Sequence, residues 1–504
     1  MKSVRGLVLL VPAAALLLAQ GKSEWVYFGA DHRLRYRADA RGNRIMDFSS
    51  AGYQGGGVKL PDVLHAARTI GPVEGDNTTR IQAALDAVAK TGGAVVLRPG
   101  TYEVAGTLKI QASKVVLSGS GSDSDEYGVT IEMTGPPHRF LEIQGTGTWL
   151  KAGEPAAITD PYVPSGAVSL HVSDPAGFQA GDSVLIERPV TEAWVHFMGM
   201  DTLVRAGKQQ TWIKAGSMIR TDRVVKSVAG NTIMLDVPMS DSIDGKYLNQ
   251  PGATVVKYAF PGRISEAGVA DLKVEAPARD APISEPQYNA LLIDRAVDVF
   301  AHGLMFIDTQ NSVTIGPAAK RVTLDWVGIN HQSAHSGAAA PADFSVSGTQ
   351  ILLNKCGVAG EGVWPVVTQS TVTGPIVVLN FNSDHRGVAP HQRWATGLLV
   401  DGGHLRGSTE RTPGIAFSNR KTAGSGHGWD IGWAVAWNVT SPFLLVQAPP
   451  GAMNWCIGCV GDPVKTEPVG IFDSPGKPVE PASLYLEQLR ERLGEAAVKA
   501  IGYW

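Results

Sequence analysis

Cysteine is nearly absent. The chain of 504 residues holds three, Cys356, Cys456 and Cys459, so disulfides do not frame its fold. Cys456 and Cys459 form a single C-x-x-C, which can be a redox pair, half a metal site or a local disulfide; without a second pair it is weak evidence for metal, and small buried side chains or one local bridge are the expectation. Charge is scarce too: charged residues make up 18% and the net charge is −3. A near-neutral chain has no global field for capturing nucleic acid or an acidic membrane, so neither is an expected partner. An anionic ligand must be met by a local cluster of cations. Beyond the first twenty residues no stretch is long and apolar enough to span a bilayer.

Those first residues, MKSVRGLVLLVPAAALLLAQ, combine a basic start at Lys2 and Arg5 with an apolar stretch from Leu7 to Leu18. The stretch is short for a span and contains Pro12. Residues 1–19 are read as a signal peptide, and the expectation is a secreted or periplasmic protein with no membrane attachment after cleavage.

Glycine is what the chain has in quantity, 58 residues, a composition that suits turn-rich β structure. In 76–93, DNTTRIQAALDAVAKTGG, Ile81, Ala84, Leu85 and Val88 recur at helical spacing, with Asp76 or Thr78 to cap the start and a glycine pair to end it. Strand-like runs around a Pro-Gly turn follow in 94–110. Residues 156–260 have another texture and are expected to form an inserted β subdomain, with Trp194, His196, Arg205, Trp212 and Lys214 in an irregular stretch. From about 264, short apolar runs recur. Taking Val299, Val322, Ile351, Val377 and Leu399 as equivalent gives steps of 23, 29, 26 and 22 residues. Repeats of this size that cannot bury their own apolar faces must stack. Asn354, Asn380 and Asn438 end such runs and are expected to bond to one another along a ladder of turns. The final segment, 481–504, is expected to be an amphipathic helix capped by Ser483, with Leu486, Leu489, Leu493 and Val498 on its apolar side.

The expected fold is therefore all-β, a right-handed parallel β-helix (a solenoid) with an N-terminal capping helix, a small β insertion and a C-terminal helix. Its segments are 1–19 for the signal, 20–155 for the N-terminal part and first coils, 156–260 for the insertion, 261–475 for the main coil and 476–504 for the C-terminal helix. DNTTRIQAALDAVAKTGGAVVLRPGTYEVAGTLKI resembles the opening of pectate-lyase-superfamily β-helix proteins, where a short helix caps the first coil and a glycine pair leads into P-G-x-Y. That superfamily includes polysaccharide lyases, hydrolases, epimerases and fructan-converting enzymes. The resemblance implies a carbohydrate ligand and does not choose the reaction.

The chemistry-bearing residues crowd into the later coils. His331, His335, His385, His391, His404 and His427 are six of the twelve histidines. Across 379–430, Arg386, Arg393, Arg406, Arg411, Arg420 and Lys421 outnumber Asp384, Asp401, Glu410 and Asp430. Guanidinium and ammonium groups meet carboxylates, and tryptophan faces stack on sugar rings. In β-elimination on a uronic acid, the C5 proton becomes removable once the adjacent carboxylate is neutralised; a base then takes it and an acid assists the leaving oxygen. HQR at 391–393, NRK at 419–421 and GSGHG at 424–428 supply those groups. The expectation is Arg393 as carboxylate binder, His391 or Lys421 as base and His427 as a second acid/base. His385, Arg386, Arg420, Asp384, Asp401, Trp394 and Trp429 are expected to bind substrate, although such tryptophans more often pack coils.

The runner-up is glycoside hydrolysis, or transglycosylation, with two carboxylates drawn from Asp384, Asp401 and Asp430. GSGHGWDIG resembles the G-H-G loop of polygalacturonase-type hydrolases, but the adjacent Asp-Asp pair is missing and no Arg-x-Lys follows. A non-catalytic glycan-binding solenoid is the third reading. No metal site is expected: His331 and His335 lie in a loop-like context, and calcium stays open because acidic residues exist but no loop has a specific ligand spacing. The expected partner is an acidic polysaccharide.

Overall fold

The computed structural model describes residues 21–61, 66–119, 128–282, 284–333 and 340–504; the expected signal peptide and His335 lie outside them. Three parallel sheets, here A, B and C, wind around one interior. Sheet A is a ladder in which Ala94, Val116, Gly268, Phe300, Thr323, Leu352, Val377, Leu399, Val435, Trp455 and Ile471 pair in succession. Sheet B follows within each coil and includes Gly100–Val104, Val129–Met133 and Gly357–Ala359. Sheet C runs through Leu108–Ile110, Arg139–Gln144, Asn289–Asp294, Val313–Ile315, Ala342–Val346 and Trp364–Thr368. This is a parallel β-helix. Among the described residues no helix is long and apolar enough to cross a membrane.

The interior is aliphatic because alternate residues of every strand point into it. Val299, Val322, Ile351, Ile376 and Leu398 form one fully buried file. Each side chain taken from water contributes about 1.5–3 kcal/mol. The expected repeat holds for the first three of these and then slips. Ile351 pairs with Ile376 rather than Val377, and Ile376 with Leu398 rather than Leu399. A one-residue slip changes the face: Val377 and Leu399 belong to a second apolar layer outside sheet A.

The corner from sheet A to sheet B is a column of left-handed residues. Asp271, Gly303, Trp326, Lys355, Asn380, Gly402, Asn438, Gly458 and Ser474 occupy equivalent places, all at φ between 50° and 70°. For residues other than glycine that conformation costs on the order of 1 kcal/mol each. The expected asparagine ladder is not formed. Asn354 donates to Asp325 and accepts from the Tyr503 hydroxyl, Asn380 donates to that hydroxyl, and Asn438 donates to the carbonyls of Val479 and Ala482. The C-terminal segment lies along this column and takes the hydrogen bonds the asparagines would have given one another.

Helix α1, Thr78–Val88, buries Ile81, Ala84, Leu85 and Val88 against the first coil, and Asp76 accepts from the Thr78 amide. A six-stranded antiparallel sheet between Leu150 and Ala259 interrupts the solenoid and has its own core around Val184, Ile186, Val225 and Val255. Arg223 pins it to the coil: fully buried, it donates to the carbonyls of Val237, Pro238 and, across the interface, Gly374. The outer apolar layer of sheet A is covered by the N-terminal segment from Val26 to Ala51, by α2 (Glu192–Phe197) of the insertion and by the C-terminal helices. The C-terminal segment is two helices rather than one. Gly494, at φ 84°, separates α3 (Leu484–Leu493) from α4 (Glu495–Ala500), and the break leaves Leu493 exposed. Cys356, Cys456 and Cys459 are buried free thiols.

Asp401 was expected in a substrate groove and is not there. Its carboxylate is buried under α3, where Oδ2 accepts from Ser483 Oγ and from the Tyr485 amide, both at 2.7 Å, while Oδ1 has no partner. Burial pushes its pKa up to about 7 against those two hydrogen bonds. The folded state therefore holds a proton that the unfolded chain releases near pH 4, and stability falls as pH rises between these values. The favourable N-terminus of α3 trims the effect. Asp401→Asn keeps both acceptor roles without the charge. It is expected to stabilise the fold by about 2–4 kcal/mol at pH 8 and to be nearly neutral at pH 4. Urea unfolding at both pH values checks this; parallel shifts at the two would show that the carboxylate is not the titrating group.

Candidate active site

The turns from sheet C to sheet A stack along one edge of the solenoid, and three successive turns build a cationic cluster. Their backbones are laced together: His391 N donates to Thr368 O, Thr371 N to Arg393 O, Arg393 N to His427 O and Trp394 N to Trp429 O. Arg393 and Trp394 are both left-handed, as is Lys421 in the next turn. The 419–429 turn closes on itself through Arg420 N to Gly428 O and Gly428 N to Lys421 O.

Its glycines are required by close approach. A Cβ on Gly424 (φ 55°) would lie 2.0 Å from His427 Nε2, and one on Gly428 (φ 57°) would lie 2.4 Å from the Trp212 ring. The insertion buttresses this turn: Arg205 and Gln210 donate to the Gly424 carbonyl, and Trp212 Nε1 donates to Trp429 O.

His391 and His427 meet edge to face, with ring centroids 4.7 Å apart. Gln369 holds His391 Nδ1 through Oε1 at 3.1 Å, and its own amide nitrogen donates to Ser345 Oγ at 2.8 Å. That orientation puts the His391 proton on Nδ1 and the lone pair on Nε2. Arg420 donates to the His391 carbonyl at 2.7 Å, and Arg393 donates to Ser425 O and Oγ. Trp364 carries two further contacts on its ring, Arg386 at 4.2 Å and Arg420 at 5.8 Å. Among the described residues, none of Arg205, Arg386, Arg393 and Arg420 has a carboxylate within 4 Å.

The electrostatics follow from that imbalance. Burial, then Arg420 and Arg393, lowers the His391 pKa to about 4. Burial, then Arg420, His391, Arg393 and Arg205, lowers that of His427 to about 4. Burial also lowers the pKa values of Arg386, Arg393 and Arg420. Both imidazoles are neutral at pH 7, and the Nδ1 of His427 is buried without a hydrogen-bond partner. The cluster has neutral bases and unpaired guanidinium groups, which is an arrangement for receiving an anion.

The remaining expected site residues fall in different places. Lys421 is exposed, and its backbone rather than its ammonium closes the turn. Asp384 is exposed and His385 is half-buried on the sheet B to sheet C turn, with the His385 ring 3.7 Å from Glu361. Trp394 and Trp429 are corrections: each is 3% exposed and packs in the outer aromatic layer, so neither face is open to a sugar. Asp430 is fully buried, receives hydrogen bonds from the Ser418 amide and hydroxyl, and has its pKa raised well above the usual carboxylate range by burial. Asp384, Asp401 and Asp430 thus occupy three different edges of the coil. His331 is paired with Asp343 in the interior at 2.8 Å. Among the described residues no three His, Cys, Asp or Glu side chains converge to hold a metal ion.

Gln369, Ser345 and Trp364 were missed from the sequence. Gln369 stands one coil before His391, in a register fixed by the Val366–Val388 bridge.

No protein-family model matches the sequence, and no curated protein does. Among solved structures the chain is similar to the tailspike gp54 of Acinetobacter baumannii bacteriophage AP22 in complex with A. baumannii capsular saccharide, at 14% identity and a TM-score of 0.38, over 75% of this chain and 51% of that one. It is similar to a tailspike protein mutant of E. coli bacteriophage HK620 in complex with pentasaccharide, at 12% identity and a TM-score of 0.40, over 81% and 61%. It is also similar to the A-module of an Azotobacter vinelandii mannuronan C-5 epimerase, at 11% identity and a TM-score of 0.30, over 85% and 79%. The chain spans about half the length of the first of these. Likeness at this level assigns no activity to this chain.

Proposed function

We propose that this protein is an exported carbohydrate-active enzyme that cleaves an acidic, uronic-acid-containing polysaccharide by β-elimination at the His391–His427 cluster. The observation that carries the reading is the set of guanidinium groups without carboxylate partners beside two neutral imidazoles. The resemblance of residues 76–110 to pectate-lyase-superfamily openings supports a glycan as the ligand.

In this reading Arg393 and Arg420 take the uronate carboxylate and draw charge from C5. His391 Nε2 removes the C5 proton, and the electron pair of that bond forms the C4–C5 double bond. The C4–O bond breaks and its oxygen takes a proton through His427 or from water. Lys421 is the second candidate base, reached by a side-chain movement from its exposed position.

The test is incubation with a panel of uronic-acid polysaccharides while following the ultraviolet absorbance of unsaturated ends and the release of reducing ends. Both are expected to rise together. Reducing ends without absorbance would replace the lyase by a hydrolase, and no product from any glycan would favour a binding solenoid.

The acid limb of kcat/KM is expected near pH 4, the value for the free histidine pair, rather than near 6.5. Arg420→Gln removes a cation that disfavours the imidazolium, so the limb moves upward toward 6.5. A limb that stays in place would take the histidines out of the proton transfer.

A further inference from the structure

A second concave site lies on the outer face of sheet A, in earlier coils than the cationic cluster and at the opposite corner. It is a cavity of about 380 Å³ between the sheet, the N-terminal segment and the C-terminal residues Ala500–Gly502. That size suits a small ligand. Phe300 and Tyr53, packed edge to face at 5.8 Å, supply apolar lining.

Its polar groups form a chain. Asn354 Nδ2 donates to Asp325 Oδ1 at 2.7 Å, and Asp325 Oδ2 holds His302 Nδ1 at 2.8 Å. His302 Nε2 has no hydrogen-bond partner among the described residues. Asp271 lines the same space.

At the mouth stands Trp326. It is 57% exposed and left-handed at φ 52°, at a corner where the coils on either side place Gly303 and Lys355. A bulky aromatic residue held in that conformation and given to solvent does little for folding, and such an outlier is a reason to look for a ligand. Lys355 lies 5.3 Å from its ring and donates to the Gly502 carbonyl.

We propose that this cavity is a second binding site, for a neutral glycosyl residue, with the Trp326 ring as its stacking surface and Asp271, Asp325 and His302 as partners for hydroxyl groups. Neutrality follows from the local charges. The carboxylates of Asp271 and Asp325 face the ammonium groups of Lys59 and Lys355 in the lining, so the fixed charges balance and no excess of either sign is left for an ion. The guanidinium cluster differs in that its cations lack acidic partners. Sugar hydroxyls donate to carboxylates and accept from the imidazole, while the C–H face of a pyranose covers an indole. The site does not depend on the reaction proposed for the histidine pair.

The experiment is calorimetric titration of the full chain with cellobiose, mannobiose, maltose and lactose. At least one is expected to bind, and Trp326→Ala is expected to weaken it by about tenfold, the scale of one aromatic stacking contact. Asp325→Asn tests the hydroxyl partners in a second, conservative variant and should weaken the same sugar. His391→Ala should bind that sugar as the parent does. The assignment is overturned if no disaccharide binds, if binding survives both Trp326→Ala and Asp325→Asn, or if it is lost in His391→Ala instead.

Discussion

His391→Ala is expected to reduce kcat for formation of unsaturated ends by about 10²- to 10⁴-fold, the range for a positioned general base. The folded state should survive, because His391 is half-buried at a turn whose backbone hydrogen bonds do not use its ring. What makes the ring a base is its setting. Gln369 fixes the tautomer and Ser345 fixes Gln369. The surrounding guanidinium groups and burial keep the ring neutral down to about pH 4. Gln369→Leu should therefore act through His391, lowering kcat less than the alanine variant does and disturbing the pH profile.

Arg393→Lys adds a contrast. Lysine keeps the charge but loses the planar guanidinium, whose Nη2 donates to both the Ser425 carbonyl and hydroxyl. A fall in kcat with a smaller rise in KM is expected, as carboxylate binding is held by the charge, which lysine keeps, and placement by the guanidinium, which it lacks. Initial rates over a substrate series, with near-ultraviolet circular dichroism to confirm folding, check the set. Full activity in His391→Ala would remove the histidine from the mechanism.

Much of this molecule was legible because solenoids repeat. Each coil must present aliphatic residues inward, so Val299, Val322 and Ile351 announced the interior file, and the glycine pair after 76–91 announced the first coil. The slip at Val377 shows where that legibility ends. Sheet A is apolar on both faces in the later coils, since helices and the N-terminal segment cover its outside. Alternation then disappears, and Ile376 and Val377 read alike. The asparagines misled for a related reason. A ladder of turns requires only near neighbours, whereas their actual partners, Tyr503, Val479 and Ala482, are 41 or more residues away. The left-handed corner column was hidden because Asp271, Trp326, Lys355 and Ser474 sit where glycine would have signalled it.

The cluster itself was partly readable. His391, Arg393, Arg420 and His427 share an edge because consecutive turns stack, which coil arithmetic anticipates. Gln369 was within reach of the same arithmetic but carries no charge to draw the eye. The acids could not be placed from sequence. Nothing local distinguishes Asp401, which caps a helix 82 residues away, from an acid in a groove.

Trp394→Ala is expected to cost about 3–5 kcal/mol of stability, the scale of removing a buried indole. The side chain is where coil and insertion meet. Its ring packs edge to face against Trp194 at 5.8 Å and Trp212 at 6.2 Å, and a Cβ on Gly432 would stand 2.5 Å from it, so the space is filled on the coil side as well. Its Nε1 donates to Asp241 Oδ2, the same oxygen that Arg188 holds at 3.0 Å. Alanine would open a cavity and remove one of the hydrogen bonds to a buried carboxylate. Trp394→Phe separates these: most of the packing stays while the Asp241 bond goes, and a loss of about 1–3 kcal/mol is expected. The consequence should reach the chemistry. Trp212, which loses a ring partner, is also the residue that holds Trp429 O and limits Gly428, so the turn carrying His427 loses its buttress. Urea unfolding together with kcat at a temperature where both variants remain folded checks the chain of effects. If Trp394→Ala unfolds at the parent's urea concentration, the aromatic layer is not what docks the insertion; if it is destabilised but fully active, the His427 turn stands without the insertion's support.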